Sequence, residues 1–177
     1  KVLGGSSSIN GMLYVRGAPR DFDHWAELGN KGWSFADVEP YFRKLESCTF
    51  PVSEARGTSG PQKVSLLRTL HPLAQPFMQA AQECGLAFNP DYNGGDQFGI
   101  SHSQLTQLKG ARFSASRAYL KPALGRKNLT VLTRTQARSL GFEGRRAVSV
   151  ECECNGDSKS FKARAEIILA SGSLQSP

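Results

Sequence analysis

Helical spacing dominates the first half of the chain. Phe22, Trp25 and Leu28 fall on one face of residues 21–28, and Gly29 is placed to stop that helix. Ser34, followed three positions later by Asp37, reads as a helix entrance, after which Val38, Tyr41, Phe42 and Leu45 continue at the same period. Pro40 is expected in the first turns, where a missing N–H is tolerated. Leu73, Phe77, Ala81 and Cys84 predict a third helix ending at Gly85, with Pro76 at a kink or in the first turn. Residues 116–124 look helical, interrupted near Pro122. Between these segments, residues 51–63 are rich in Pro, Ser, Gly and Thr and read as a surface loop or lid. Residues 89–95 hold too many turn formers for regular structure.

The period changes in the last fifty residues. Residues 130–133 predict a strand, and residues 147–154 alternate, with Val148, Val150, Cys152 and Cys154 on one face and Ser149, Glu151 and Glu153 on the other. That is the pattern of a half-buried antiparallel strand. Asn155-Gly156-Asp157 supplies a turn, and residues 159–163 the returning strand. Residues 167–170 are apolar on both faces and run into Ser171-Gly172-Ser173, as a buried parallel strand entering a glycine turn would. The tightest basic groups, Gly144-Arg145-Arg146 and Gly125-Arg126-Lys127, sit at turn positions between apolar segments.

Composition narrows the classes without choosing among them. The 177 residues suffice for one compact domain or parts of two, and 39% hydrophobic with 21% charged residues is the balance of a soluble globular chain. No apolar run approaches the roughly 20 residues of a membrane helix. The formal charge of +7 is spread along the chain rather than clustered, which argues for a solvated surface and against nucleic acid. Of the four cysteines, Cys48 and Cys84 fall on helical patterns, while the Cys152-x-Cys154 spacing is neither a redox nor a zinc pair. A reduced compartment fits them. Localisation is barely constrained, and a cytoplasmic or membrane-peripheral protein satisfies the composition.

The most specialised chemistry lies at the start, in Lys1-Val2-Leu3-Gly4-Gly5-Ser6-Ser7-Ser8-Ile9-Asn10-Gly11. Glycines admit close approach of a phosphate or a flat ring, and N–H groups that open a helix point donors at an anion. A large polar cofactor suits such a loop, as does a serine-rich turn that merely caps a helix. The pattern is neither G-x-G-x-x-G nor a phosphate-binding P-loop.

Residues 4–17, followed by Asp21-Phe22-Asp23-His24-Trp25 and Gly32-Trp33-Ser34, resemble the first signature region of the glucose-methanol-choline (GMC) oxidoreductases. Further elements follow in order: Gly57-Thr58-Ser59-Gly60-Pro61, Asp91-Tyr92-Asn93-Gly94, Arg112-Phe113-Ser114-Ala115 with Tyr119-Leu120, Asn128-Leu129-Thr130-Val131, and Gly172-Ser173-Leu174-Gln175-Ser176-Pro177. The resemblance covers nearly the whole chain, and the opening motif is similar to the branch of choline and aliphatic alcohol dehydrogenases. It implies an α/β fold: a Rossmann-like flavin domain, incomplete here, with an antiparallel β-meander and part of an α+β substrate and lid domain. Residues 1–30 and 126–177 would belong to the FAD-binding domain and residues 31–125 to the lid and substrate domain. The implied cofactor contacts are Gly5, Ser6, Asn10, Gly11 and Leu13 along the flavin, and Ala137 at the adenine. Asn10 is the leading candidate, because its amide both donates and accepts. Where some members carry a flavin-linked histidine this chain has Ile9, which implies non-covalent FAD.

The implied reaction is oxidation of an alcohol CH–OH by hydride transfer to FAD, with oxygen, a quinone or another group as electron acceptor. The family's glycine-rich strand turn and its catalytic histidine pair have no counterpart in these residues. The chain is therefore expected to be an internal fragment that holds no catalytic residue. His24, His71 and His102 read as structural, with His102 the nearest to a substrate cavity because it follows the turn-rich segment. No metal constellation is formed by Asp91, Asp96, Glu151 or Glu153, and residues 169–173 lack the first glycine of a hydrolase nucleophile elbow. Tyr14, Trp25, Trp33 and Tyr41 read as packed core rather than as a stacking platform. The alternative from another class is a binding module that keeps the cofactor loop without catalysis.

Overall fold

The computed structural model describes residues 1–50 and 53–176, which form two compact units, Lys1–Arg126 and Lys127–Pro177. Helices and strands mix in the first unit. The opening loop forms only a four-residue 3-10 turn, Gly5–Ser8, rather than the entrance of an α-helix. Helix α1 (Pro19–Glu27) has proline at its first position, where the absent N–H removes no bond. Helix α2 (Phe35–Leu45) starts at the expected capping box: Asp37 N–H donates to Ser34 Oγ, and Ser34 N–H donates to the Asp37 carboxylate. Pro40 lies deeper than expected, inside α2.

Aromatic rings join α1 to α2. Phe22, 8% exposed, meets Trp25 and Phe42 edge-on at centroid distances of 5.2 and 5.7 Å. The expected packed core fails for Trp25, Trp33 and Tyr41, which are 45%, 51% and 71% exposed, and for Leu28. Among the described residues nothing covers the outer face of this helix pair.

The core of the first unit is a small sheet. Strand β1 (Glu46–Cys48) runs parallel to β2 (Gln62–Leu66), and β2 pairs antiparallel with β3 (Gln104–Leu105). Leu105 also bridges antiparallel to Leu13, so the segment after the opening loop lies along the free edge of β3. Cys48 is therefore buried on a strand, not on a helix. Residues 53–63 are not wholly a surface loop either. Arg56, Gly57, Gly60 and Gln62 are buried, while the part of that expectation at residues 51 and 52 lies outside the described residues. The reason is steric: a Cβ on Gly57 would sit 2.0 Å from Arg43 O, and one on Gly60 2.4 Å from the Leu45 carbonyl carbon. Glycine marks close approach here, not freedom.

Helix α3 (Ala74–Glu83) is present with Pro76 in its first turn, but Met78 is its buried residue and the predicted stripe at Leu73 and Phe77 is exposed. Residues 89–95 are irregular, as expected. A two-stranded hairpin, β4 (Gln107–Leu108) with β5 (Ala111–Arg112), precedes a π-helical turn, Ser116–Leu120, and a short helix α4 (Lys121–Ala123).

The second unit is an antiparallel meander, β6 (Thr135–Glu143), β7 (Arg146–Cys154) and β8 (Asp157–Lys162). Two-residue turns connect the strands. Asn155 and Gly156 both take positive φ, +52° and +95°, the geometry that lets an Asn-Gly pair follow the twist of a hairpin. Cys152 and Cys154 are buried on the expected face, and Ser149 on the other face is buried too, against Gly141. Two expectations fail. Residues 130–133 are not a strand, because the strand begins at Thr135, and residues 167–170 are irregular and unpaired, with Ile168 77% exposed. A parallel strand needs neighbours and covering layers, and none of the described residues supplies them.

Candidate functional site

The opening loop is held by residues more than a hundred positions away. Arg112 Nη1 donates to Ser7 O (3.1 Å) and to Asn10 Oδ1 (3.0 Å), and Nη2 donates to Asn10 O (2.7 Å). Ala115 N–H donates to Ser7 Oγ at 2.9 Å. Within the loop, Ser6 O accepts from the amides of Ile9 and Asn10, and Asn10 Oδ1 accepts from Met12 N–H at 3.0 Å. A Cβ built on Gly5 or on Gly11 would meet nothing within 4 Å. The exposed side of the loop is thus bare backbone at two points, and the side-chain Nδ2 of Asn10, next to Gly11, has no hydrogen bond among the described residues.

Past the loop, the chain is fixed by the turn-rich segment and β3. Met12 O accepts from Thr106 N–H, and Tyr14 N–H donates to Gln104 O, both at 2.8 Å. Tyr14 O accepts from Tyr92 Oη and Asn93 Nδ2, both at 3.0 Å, while Arg16 N–H donates to Asn93 Oδ1 at 2.7 Å. Asn93, 3% exposed, acts as a surrogate strand partner for residues 14–16. One open cleft of about 420 Å³ lies here, lined by Leu13, Val15, Tyr92, Ser101 and Ser103 among others. His102, expected nearest to a cavity, lies between Ser101 and Ser103 of this lining and packs edge-on against Phe88 at 6.2 Å. His24 pairs with Glu27, and His71 Nδ1 accepts from Leu73 N–H.

Beneath this segment lies a buried ionic cluster. The Glu46 carboxylate is fully buried and accepts from Arg16 Nη2 (2.5 Å), Arg56 Nε (2.8 Å), Arg56 Nη2 (3.1 Å) and Gly57 N–H (2.8 Å). Arg56 also pairs with Asp91 and donates to Gln104 Oε1 at 2.9 Å. Burial alone raises the Glu46 carboxyl. Donation from Arg56 and Gly57, with the charges of Arg56 and Arg16, outweighs it and holds the group below the ordinary carboxylate value. The Tyr14 phenol is pushed the other way, by burial first and by the Glu46 charge second. This cluster welds α2, β1, β3 and the turn-rich segment to the strand that carries the loop.

Of the expected cofactor residues, Gly5, Ser6, Asn10, Gly11 and Leu13 are contiguous on this exposed loop and edge strand. Ala137 belongs to the second unit, exposed on β6 opposite Cys152. The residues that sequence reasoning missed are Arg112, Asn93 and the Glu46–Arg56 pair. Arg112 and Asn93 stood inside quoted motifs without a role, and no local signal marked Glu46.

A loop that is open at two glycines and anchored by a distant Arg-Phe-Ser-Ala segment is the arrangement that the ordered motifs implied, and the comparisons with known proteins decide the kinship. The GMC oxidoreductase family matches over residues 1–177. The chain belongs to the GMC oxidoreductase family. An oxygen-dependent choline dehydrogenase of Brucella anthropi is 46% identical over the entire chain, and one of Sinorhizobium fredii is 45% identical. The chain spans 32% of the length of each of these relatives. Among solved structures, pyridoxine 4-oxidase from Mesorbium loti superposes with a TM-score of 0.83 at 32% identity, covering 89% of this chain and 31% of that one. An FAD-dependent oxidoreductase from Chaetomium thermophilum gives 0.86 at 29% identity, over 92% of this chain and 31% of that one. The α/β flavoprotein class, the antiparallel meander included, therefore stands. Among the described residues no helix is long and apolar enough to cross a membrane.

Proposed function

We propose that this GMC chain is part of a flavoprotein that oxidises an alcohol at its CH–OH carbon, with FAD held without a covalent link. The carrying observation is the loop itself: bare backbone at Gly5 and Gly11, an uncommitted amide nitrogen on Asn10, and Ile9 beside it. These residues fit a flat polar ring, because glycine leaves room for it and the amide supplies a donor at its edge. Ile9 offers only hydrocarbon, with no atom able to bond to a flavin. Gly5, Ser6, Asn10, Gly11 and Leu13 would line the ring, and Ala137 would meet the adenine. Bound FAD would supply the acceptor for two electrons and a proton. What the chain itself contributes is a rigid seat: the Arg112 contacts and the strand edge at Leu13 hold the loop in place. Residues 1–30 and 126–177 are assigned to the FAD-binding domain and residues 31–125 to the lid and substrate domain. No proton acceptor is assigned: His24 is hydrogen-bonded to Glu27, His71 to Leu73 N–H, and the His102 ring packs against Phe88.

Choline is the first alcohol to test, since the Brucella relative is named a choline dehydrogenase, followed by aliphatic alcohols and pyridoxine. The full-length flavoprotein that carries this chain is precipitated with acid and the supernatant examined for flavin, then the native flavoprotein is mixed anaerobically with each alcohol and the flavin band followed. Yellow supernatant and bleaching by at least one alcohol are expected. Flavin retained in the pellet sinks the non-covalent assignment. Flavin that is bound but bleached by no alcohol leaves a binding module. Reoxidation by oxygen or by a quinone then identifies the acceptor.

A further inference from the structure

We propose that Arg112 is a positioning residue that fixes the direction of the Asn10 side chain, so that Asn10 meets the bound ring as a hydrogen-bond donor only. The proposal rests on the flavin reading of the loop. An asparagine amide has two nearly isosteric ends, and on an exposed loop either can face a ligand. Here the choice is made by two obligate donors. Met12 N–H and Arg112 Nη1 both lie 3.0 Å from Asn10 Oδ1, and a reversed amide would set its NH2 group against both of them. Nδ2 is thereby turned away from both donors, on an exposed residue next to Gly11, with no hydrogen bond among the described residues. The ligand atom opposite it must be an acceptor, a ring carbonyl oxygen or an unprotonated ring nitrogen.

Arg112 is suited to this by the shape of its fork. One guanidinium reads three oxygens, the Asn10 side-chain oxygen, Asn10 O and Ser7 O, across 102 positions of sequence. A lysine ammonium is a compact point charge and does not span that set. Arg112 is itself held: its strand β5 pairs with β4, and its carbonyl accepts from Arg117 Nη1 at 3.2 Å. The guanidinium has no carboxylate partner among the described residues, so its attachment to the loop does not compete with an ion pair.

A mutant cycle separates steering of the Asn10 amide from a simple grip on the loop backbone. Arg112→Lys, Asn10→Ala and the double variant are stripped of flavin and titrated with FAD by fluorescence quenching, and the visible circular dichroism of the bound flavin is recorded. Each single variant is expected to weaken FAD by roughly fivefold, about the worth of one hydrogen bond. The double variant should bind within about twofold of Asn10→Ala, and the three dichroism spectra should coincide. Additive losses would overturn the proposal, since Arg112 would then act through the backbone carbonyls alone, and so would an Arg112→Lys protein with unaltered affinity and dichroism. If Arg112→Lys lowers the melting temperature by more than about 5 °C, the cycle is run with Arg112→Gln and the same outcomes decide it. Failure of the unmodified protein to bind FAD would remove the flavin reading itself. Binding without bleaching by alcohols would remove only the alcohol-oxidising reading and leave this cycle decisive.

Discussion

The two ends of the segment 12–16 are held in opposite ways. At the Met12 end the opening loop is exposed, and its anchors are hydrogen bonds from one surface guanidinium and one amide. At the Arg16 end a fully buried carboxylate binds two arginines, and Asn93 and Gln104 bond the backbone of Tyr14 and Arg16. The two anchors belong to different tasks. A cofactor seat must leave polar groups unpaired so that a ligand can complete them, whereas a buried cluster must leave as few as possible, because each unsatisfied charge is costly in low dielectric. Between them, Leu13 and Tyr14 are tied to β3 at Leu105 and Gln104.

The largest expected effect comes from breaking the closed end. Glu46→Ala leaves Arg16 and Arg56 facing each other without their shared carboxylate, in a site where both are 4% exposed. Loss of about 3–5 kcal/mol is expected, the usual cost of removing one partner of a buried ion pair. Glu46→Gln keeps one acceptor oxygen and should lose less. Denaturant midpoints at constant slope measure both. A loss below about 1 kcal/mol for Glu46→Ala would mean that the cluster is not what fixes the strand.

That closed end was almost illegible in the sequence, and the reason is physical. A stretch of Pro, Ser, Gly and Thr with an arginine in it, as in residues 51–63, has the composition of a solvated loop. Only the fold shows that Gly57 and Gly60 pass too close to the end of α2 for any side chain, which drives Arg56 inward onto Glu46. Long-range ionic pairs have no period. The open end was legible because its chemistry is local: glycines, serines and Asn10 within a dozen residues. Two of the meander's three strands were legible as well, through the alternation at residues 147–154 and the Asn-Gly turn, while the first was expected at residues 130–133 and lies at Thr135–Glu143. The strand expected at residues 167–170 was not realised, since an apolar run specifies burial but not the partner that provides it. Arg112 lies between these cases, visible in a motif and without a role until its guanidinium met the loop.

A smaller effect should appear on acidification. The Glu46 carboxyl titrates below its ordinary value of 4.5 in the folded protein, so its contribution to stability is complete above that value and is lost as pH falls through the lower folded value. Midpoints in denaturant should therefore decline on going from about pH 5 to about pH 3, and the decline should be shallower in Glu46→Gln, which has no proton to gain. Equal slopes for the two proteins would show that other carboxylates, not this cluster, govern the acid limb.

The smallest effect is expected at the open end, and it sharpens the contrast most. Arg112→Ala removes donors from Ser7 O, Asn10 O and Asn10 Oδ1, but all three oxygens lie in or beside exposed loop and can turn to water. Net loss of such bonds is modest because water replaces the donor, so global stability should change by no more than about 1 kcal/mol. Hydrogen exchange at the amides of Ile9, Asn10 and Met12 should quicken in the same variant, while that of Tyr14 and Arg16, bonded to Gln104 and Asn93, should not. If exchange at Tyr14 and Arg16 rose together with the loop amides, the two ends would be one cooperative unit. The division between a closed clamp and an open seat would then give way to a single structure that unfolds as a whole.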